Sequence, residues 1–385
     1  MLTQPFAAAI AEAEEIIAGA ARVHTELDLV EGYDYLAGSI RAALQMAWAY
    51  ERDFPYFVAS TGPYTKMGLD NPDTLYFHAY LRPDAEYVVS GIRGTTADLS
   101  FQVLNGDYSP VVVPDSLAAF DDRQIRIEAD GTFELRFGPG LTGPNRFALA
   151  PDAAMLIVRE VYSDWTAERR GMIRIQRVDT AGTRPAPRTF GQLEKKYGVA
   201  GKILISRLTT FLAFPERFYL NLPVNTLTPP RSTPGGLTTQ FSSVGHYDLD
   251  DDLAMVVTVP VSEAPYQGIQ LGSTWYVSLD YINRQTSLTA DQAQADPDAM
   301  FRFVISERDP GVANWLECAG HPRGYVQLRW QRLSRPLTAA DGPQVALVKL
   351  ADLPDFLPYY NPITPSGYAE RIAARQAAVA ARMLG

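Results

Sequence analysis

The sequence predicts a mainly β protein with flanking helices, its strands gathered into two jelly-roll or β-sandwich units. Three observations carry this. Apolar residues recur at helical spacing up to about residue 53, then alternate with polar ones from Tyr76 onward. Seven short alternating segments, each bounded by Gly, Pro, Asp or Asn, follow within about 100 residues. A second set of six lies between residues 254 and 350. Short strands at this spacing suit sandwiches better than parallel sheets with crossover helices.

The elements follow in order. The opening MLTQPFAAAIAEAEEIIAGAARV is apolar but lacks a basic leading region and carries Glu12, Glu14 and Glu15, which reads as an amphipathic helix rather than a signal peptide. Leu36, Ile40, Leu44 and Trp48 fall four apart behind Asp34, the expected N-cap, giving a helix over 34–52 that stops by Pro55. Residues 1–55 thus form an N-terminal helical segment. The first β unit is expected over 56–180, with strands at YFHAYL, EYVVSGIRG, ADLSFQVL, QIRIEAD, TFELRFG, AMLIVREVY and MIRIQRV. Residues 181–240 connect the units. Here TAGTRPAPR is a linker by composition, Leu193, Tyr197, Leu204, Leu208 and Phe211 predict a helix near 193–213, and NLPVNTLTPPRSTPGG is irregular. The second β unit is expected over 241–352, with strands at AMVVTVPV, YQGIQLG, TWYVSLDY, FRFVIS, YVQLRW and QVALVKL. The tail, 353–385, is a strong helix former that packs back or makes a subunit contact. No residue-level repeat relates the two halves.

Composition narrows the function. The net charge of −10 argues against nucleic acid or an anionic membrane as the main partner, and no run reaches the ~18 apolar residues of a membrane span. A single cysteine, Cys318, forbids an internal disulfide and fits the cytoplasm. His24, His78, His246 and His321 are scattered without metal-ligand spacing, and no nucleophile elbow, P-loop or dinucleotide fingerprint is present, so neither metal nor cofactor is expected. The acidic run Asp248, Asp250, Asp252 lacks the glycine and distal glutamate of a calcium loop and reads as a solvated turn.

Four polar groups stand out. The stretch FRFVISERDPGVANWLECAGHPRGYVQLRW places Glu307, Arg308, Asp309, Asn314, Trp315, His321 and Arg323 between two alternating strands. His321 suits proton transfer and Arg308 or Arg323 bidentate capture of an anion, against the plainer reading of an ion-pair network. LDYINRQTSL offers Asp280, Asn283, Arg284 and Gln285 at a strand end, apt for hydroxylated or anionic ligands or, more plainly, an Asx turn. DNPDTLYFHAY offers Asp70, Asn71 and Asp73 on a turn, with Tyr76 and His78 on one strand face, either a cavity lining or a half-exposed surface. Arg159 closes the strand in LIVREVYSDW and either enters a cleft between the units or pairs with Glu160 or Asp164.

The segments DNPDTLYFHAYLRPDAEYVVSGIRG, LDYINRQTSL and FRFVISERDPGVANWLECAGHPRG, with VKLADLP before a basic Ala-rich helix, resemble the bacterial domain-of-unknown-function 1214 family, most strongly over residues 245–350. Asp-Pro-Gly, Asn-Trp-Leu and Gly-His-Pro-Arg-Gly in order carry the likeness. The resemblance implies jelly-roll-like β structure and supplies no activity.

The resulting expectation is a cofactor-independent hydrolase or lyase. It acts on a hydroxylated, sugar-like small molecule in a cleft of Asp, Arg, His and aromatic residues, to which the 20 tyrosines and five tryptophans contribute. Asp73, Asp280 and His321 are the expected catalytic groups; Asp70, Asn71, Tyr76, His78, Arg159, Asn283, Arg284, Gln285, Arg308, Asp309, Asn314, Trp315 and Arg323 are the expected binding groups. The competing expectation is a non-catalytic β-sandwich that binds a ligand or builds an assembly such as a homo-oligomer. Convergence of Asp70 or Asp73 with Asp280 and His321 in one pocket separates the two.

Overall fold

The computed structural model describes residues 1–107, 113–232 and 240–384. Among them, eighteen strands in four sheets and five α-helices make a mainly β protein. The end of the Pro-rich stretch, Thr233–Gly236, lies outside the described residues.

Helix α1 (Gln4–Ala18) buries Phe6, Ala9, Ala13 and Ile17. Helix α2 (Glu26–Ala49) begins eight residues before the expected N-cap: Thr25 caps it, with Thr25 Oγ1 accepting from Asp28 N at 3.1 Å and Asp28 Oδ2 accepting from Thr25 N at 2.9 Å. Asp34 lies inside the helix, since the chain completes a capping box further upstream than the apolar stripe suggests.

Eight strands make the first unit: β1 (Thr74–Tyr80), β2 (Tyr87–Ile92), β3 (Asp98–Leu104), β4 (Ser116–Asp121), β5 (Thr132–Gly138), β6 (Arg146–Ala148), β7 (Met155–Val161) and β8 (Met172–Arg177). Sheet β1-β7-β3-β4 packs on β6-β5-β2-β8. Tyr87, Val89, Phe101, Phe120, Leu135, Phe137 and Leu156 fill the space between them. One expected strand is absent. QIRIEAD runs as a 3-10 turn (Asp122–Gln124) and loop, with Ile125 and Ile127 tucked against this core, so the alternation marks a buried loop edge. The strand lies just upstream, where SLAAFD shows no alternation to betray it.

After the exposed linker, α3 (Phe190–Phe218) starts at the Thr189 cap and packs with α1 and α2 around Ala43, Ala47, Leu204, Leu208 and Trp275. The second unit holds β9 (Thr226–Leu227), β10 (Arg231–Ser232), β11 (Phe241–Asp248), β12 (Leu253–Pro260), β13 (Tyr266–Gly272), β14 (Ser287–Thr289), β15 (Met300–Ser306), β16 (Trp315–Glu317), β17 (Arg323–Gln331) and β18 (Gln344–Lys349). Sheet β10-β11-β17-β13-β14, with β9 beside β11, faces sheet β16-β15-β12-β18. Met255, Val257, Leu271, Phe303, Ile305, Leu328 and Trp330 lie between them.

Two departures mark this unit. β11, FSSVGHYD, has Ser242, Ser243 and Gly245 where a strand pattern wants β-branched residues. Gly245 is required by close approach, because a Cβ there would lie 1.9 Å from the Thr226 carbonyl oxygen. TWYVSLDY forms no named strand: Tyr276 takes φ 59°, and Trp275 turns into the helical layer, where its Nε1 donates to Asp28 O at 2.6 Å. Trp275 is fully buried there, so its truncation to alanine costs about 3–5 kcal/mol.

Short helix α4 (Leu353–Phe356) precedes α5 (Pro365–Leu384), which packs back on the chain. Arg375 and Arg382 of α5 lie over the Trp165 ring at 4.6 and 4.2 Å. Among the described residues no helix is long and apolar enough to cross a membrane.

Candidate functional site

Each sandwich has one sheet whose outer face is neither core nor solvent. In β1 the core takes Phe77 and Ala79, so Thr74, Tyr76 and His78 point outward; in β7 the core takes Leu156 and Val158, leaving Met155, Ile157 and Arg159. In β17 the core takes Val326, Leu328 and Trp330, leaving Gln327, Arg329 and Gln331. These two outer faces, the loop 60–70, and Val199, Ile203, Arg207, Phe211 and Phe214 along one side of α3 enclose a cavity of about 470 Å³. Both units and the helical layer thus build one compartment.

Its apolar wall is Met67, Leu69, Met155, Ile157, Phe211 and Phe214. Its polar wall is unusual for the amount of buried charge. Arg159, Arg207 and Arg329 are 9%, 4% and 6% exposed. Arg159 Nη1 donates to Gln102 Oε1 at 2.8 Å. Arg207 donates to the carbonyls of Thr65 and Lys66 and to Met67 Sδ, while its Nε has no partner among the described residues. Arg329 donates to Gln270 Oε1, Gln327 Oε1 and the Leu69 carbonyl. Burial pushes the Arg207 guanidinium down, opposed by Tyr35 and Asp70.

His78 is buried, with Nδ1 3.1 Å from Ser60 Oγ and Nε2 without a partner among the described residues. Burial, helped by Arg207, lowers His78 to about 4, so the ring is neutral near pH 7. Tyr76 accepts from Asn71 N at 3.0 Å, and burial holds its hydroxyl above the usual tyrosine range. Each Asp70 oxygen accepts one hydrogen bond, from Ser278 N at 3.1 Å and Ser278 Oγ at 2.9 Å.

Of the residues singled out by sequence, Asp70, Tyr76, His78 and Arg159 share this cavity. Arg159 does not pair with Glu160, whose Oε1 accepts from Thr96 Oγ1 and Gly171 N on the other side of the sheet. Asn71 and Asp73 sit just behind the lining. Asp73 accepts from Trp165 Nε1 at 2.8 Å and Tyr266 Oη at 2.7 Å, and Asn71 Nδ2 donates to Tyr266 Oη at 2.9 Å. Burial raises the Asp73 carboxyl against the pull of Tyr266 and Arg382.

The remaining expected site residues do not line it, and the anticipated meeting of Asp73, Asp280 and His321 does not occur. Asp280 closes an Asx turn, accepting from Ile282 N, Asn283 N and Asn283 Nδ2. Arg284 pairs with Glu317, and buried Gln285 donates to the carbonyls of Ala313 and Trp315, so this turn and the Asn-Trp-Leu segment do meet each other. Arg308 reaches Asp251 O at 2.8 Å; Asp309 caps the turn at Gly311 N. Asn314 bonds Gln294 through both ends, and Trp315 Nε1 donates to Ser306 O at 3.1 Å. His321 clamps α2, with Nε2 2.8 Å from Glu31 Oε2 and Nδ1 3.0 Å from Cys318 O, and exposed Arg323 pairs with Asp248. Polar density at strand ends here reflects local satisfaction of turns and helix docking. Among the described residues no group of His, Cys, Asp or Glu is placed to hold a metal ion.

Ser60, Arg207, Gln327, Arg329 and Gln331 are among the polar lining residues that sequence reasoning missed. Two signals were available: polar alternation through YVQLRWQ, and an arginine on the apolar stripe Leu204, Leu208, Phe211.

No family model matches the chain, and no curated protein does. Its structure is similar to the crystal structure of an uncharacterized protein from Burkholderia cenocepacia, with TM-score 0.79 and 27% identity over 90% of this chain and 96% of that one. A protein from Vibrio parahaemolyticus aligns at TM-score 0.48 and 14% identity, covering 82% of this chain and 98% of its own.

Proposed function

We propose that this chain is a small-molecule-binding protein whose site is the compartment between the two β units. The observation that supports this is the buried lining itself: a cavity of about 470 Å³ is lined by His78, Arg207 and Gln331, each of which also carries a buried side-chain polar atom without a partner among the described residues. Orphaned buried polar atoms cost ~1–3 kcal/mol each, and a ligand that bonds them recovers that cost. Membership of the domain-of-unknown-function 1214 family rests on the sequence elements that suggest it, and cytoplasmic residence on the lone cysteine.

The test uses N-phenyl-1-naphthylamine, a neutral dye that brightens in apolar sites. The parent is expected to bind about one equivalent, and Ile203→Trp, which fills the cavity from α3, to lose the signal while keeping its fold by circular dichroism. An absence of binding by the parent, or a Trp variant that binds as the parent does, overturns the reading.

One observation favours a second reading, hydrolase or lyase turnover of a hydroxylated substrate. Ser60 Oγ and His78 form a buried pair on the cavity wall, and the distal ring nitrogen has no partner among the described residues. A neutral imidazole whose Nδ1 donates to Ser60 presents Nε2 as a base, although its depressed affinity for protons makes it a weak one. Release of p-nitrophenol from ester and glycoside probes that disappears in His78→Gln and Ser60→Ala would promote turnover over binding alone.

A further inference from the structure

We infer that the ligand is an organic anion: a small molecule with an apolar body and a carboxylate, phosphate or sulfonate group, held by Arg159, Arg207 and Arg329. This rests on the cavity being the working site and adds the chemical class of what occupies it.

The chain compensates its other buried guanidiniums in two ways. Partly buried Arg93, Arg302 and Arg332 each meet a carboxylate within 4.0 Å. Buried Arg375 and Arg382 lie over the Trp165 face, a second way of compensating a cation. Arg159, Arg207 and Arg329 have neither. Among the described residues none forms an ion pair and none lies over an aromatic ring. They bond only neutral groups: amide oxygens, carbonyls and a thioether. A guanidinium carries five N–H donors, and Arg159 uses one of them.

Three such charges in one compartment are costly without an anion. Of the two wall carboxylates, Asp70 favours the charged form of Arg207, but among the described residues neither lies within the 4.0 Å of an ion pair with any of the three guanidiniums. Asp70 accepts from Ser278, and Asp107 from the Tyr80 hydroxyl. Tyr76 lies opposite Arg159 across β1 and β7, His78 shares its face of β1, and all of them line the cavity with Arg207 and Arg329. Tyr76 and His78 therefore stand where a bound anionic group would also be met by a hydroxyl and an imidazole.

An independent observation concerns the neighbouring space. A second cavity of about 220 Å³ shares Thr61, Thr74, Tyr76 and Phe77 with the first. Its wall contains Arg41, Arg170 and Arg382 and no acidic residue. In a chain with net charge −10, two adjoining cavities lined by arginine are a local reversal of sign, which concentrates anions and speeds their arrival.

The experiment compares two dyes sharing one ring system: 1-anilinonaphthalene-8-sulfonate, an anion, and neutral N-phenyl-1-naphthylamine. Each is titrated by fluorescence into parent, Arg159→Gln, Arg329→Gln and Arg159→Lys. The parent is expected to bind the sulfonate at least about tenfold more tightly, the increment of a charge-assisted hydrogen bond. Each Gln variant should erase most of that preference, read as the ratio of the two dye affinities within one variant, with the Lys variant between. Displacement of the sulfonate by octanoate and by octyl phosphate then tells carboxylate from phosphate recognition, with octanol as the neutral control. Equal affinity for both dyes, insensitivity to both Gln variants, or displacement by octanol as effective as by the anions overturns the inference while sparing the cavity reading. Failure of both dyes to bind, or binding indifferent to Ile203→Trp, removes the cavity reading and this inference with it.

Discussion

Tyr76 and Arg159 occupy directly opposed positions on β1 and β7, so the phenol and the guanidinium stand side by side on the face that closes over the cavity. Opposed residues in an antiparallel pair have Cβ atoms about 4.5–5.5 Å apart, which places both groups against the same ligand atoms. Neither belongs to the hydrophobic core of its sandwich, and neither is on the outer surface.

Arg159→Met is expected to leave stability unchanged or to raise it. The arginine is 9% exposed and bonds one amide oxygen, so a side chain of similar length without charge removes a desolvation cost and sacrifices little. Calorimetry in the absence of ligand should show an equal or higher Tm. A fall of several degrees would mean that Arg159 is a structural strut.

Asp73→Ala should destabilise the protein by about 2–5 kcal/mol in urea unfolding, because it strands the Trp165 indole N–H and the Tyr266 hydroxyl in a buried setting. Asp73→Asn, which keeps one oxygen acceptor, should lose less. A role confined to proton transfer would leave both variants as stable as the parent.

Burial, with Asp121 nearby, raises the Asp98 carboxyl to about 7. The folded state then holds a proton that the unfolded chain has already released above about pH 4, so this group's contribution to stability is full below that point and is lost as pH rises toward 7. Asp98→Asn should be more stable than the parent by about 2–4 kcal/mol at pH 8, with the gain vanishing near pH 4. A gain independent of pH would refute the assignment.

His321→Ala should weaken the docking of α2 and leave dye binding in the cavity intact. Burial alone would lower the imidazole, but Glu31 and the Cys318 carbonyl outweigh it and the net shift is upward. A raised value contributes stability that is complete below the ordinary histidine range and disappears as pH climbs through the folded value. The loss should therefore be larger at pH 6 than at pH 9, on the order of 1–3 kcal/mol. Abolished ligand binding in a fully folded variant would return His321 to the site.

The sequence by itself determined the mainly β class, the helices and the strands whose two faces differ in polarity. FRFVIS and TFELRFG alternate because one face of each must be dry, and that demand is written residue by residue. It also marked DNPDTLYFHAY, since a turn of Asp, Asn and Pro ahead of Tyr76 and His78 is a local pattern. What it did not reveal is that the polar faces of β1, β7 and β17 are covered. Alternation says that two faces differ and is silent on what lies over the second one, so Tyr76, His78 and Gln327 read as a half-wet surface until both sandwiches and α3 are assembled around them. The same limit made the loop 307–323 look functional. A reach of 290 residues from His321 to Glu31, like the 75 between Arg323 and Asp248, is set by packing of distant elements, and only the tertiary structure decides which polar groups find partners and which are left facing a cavity.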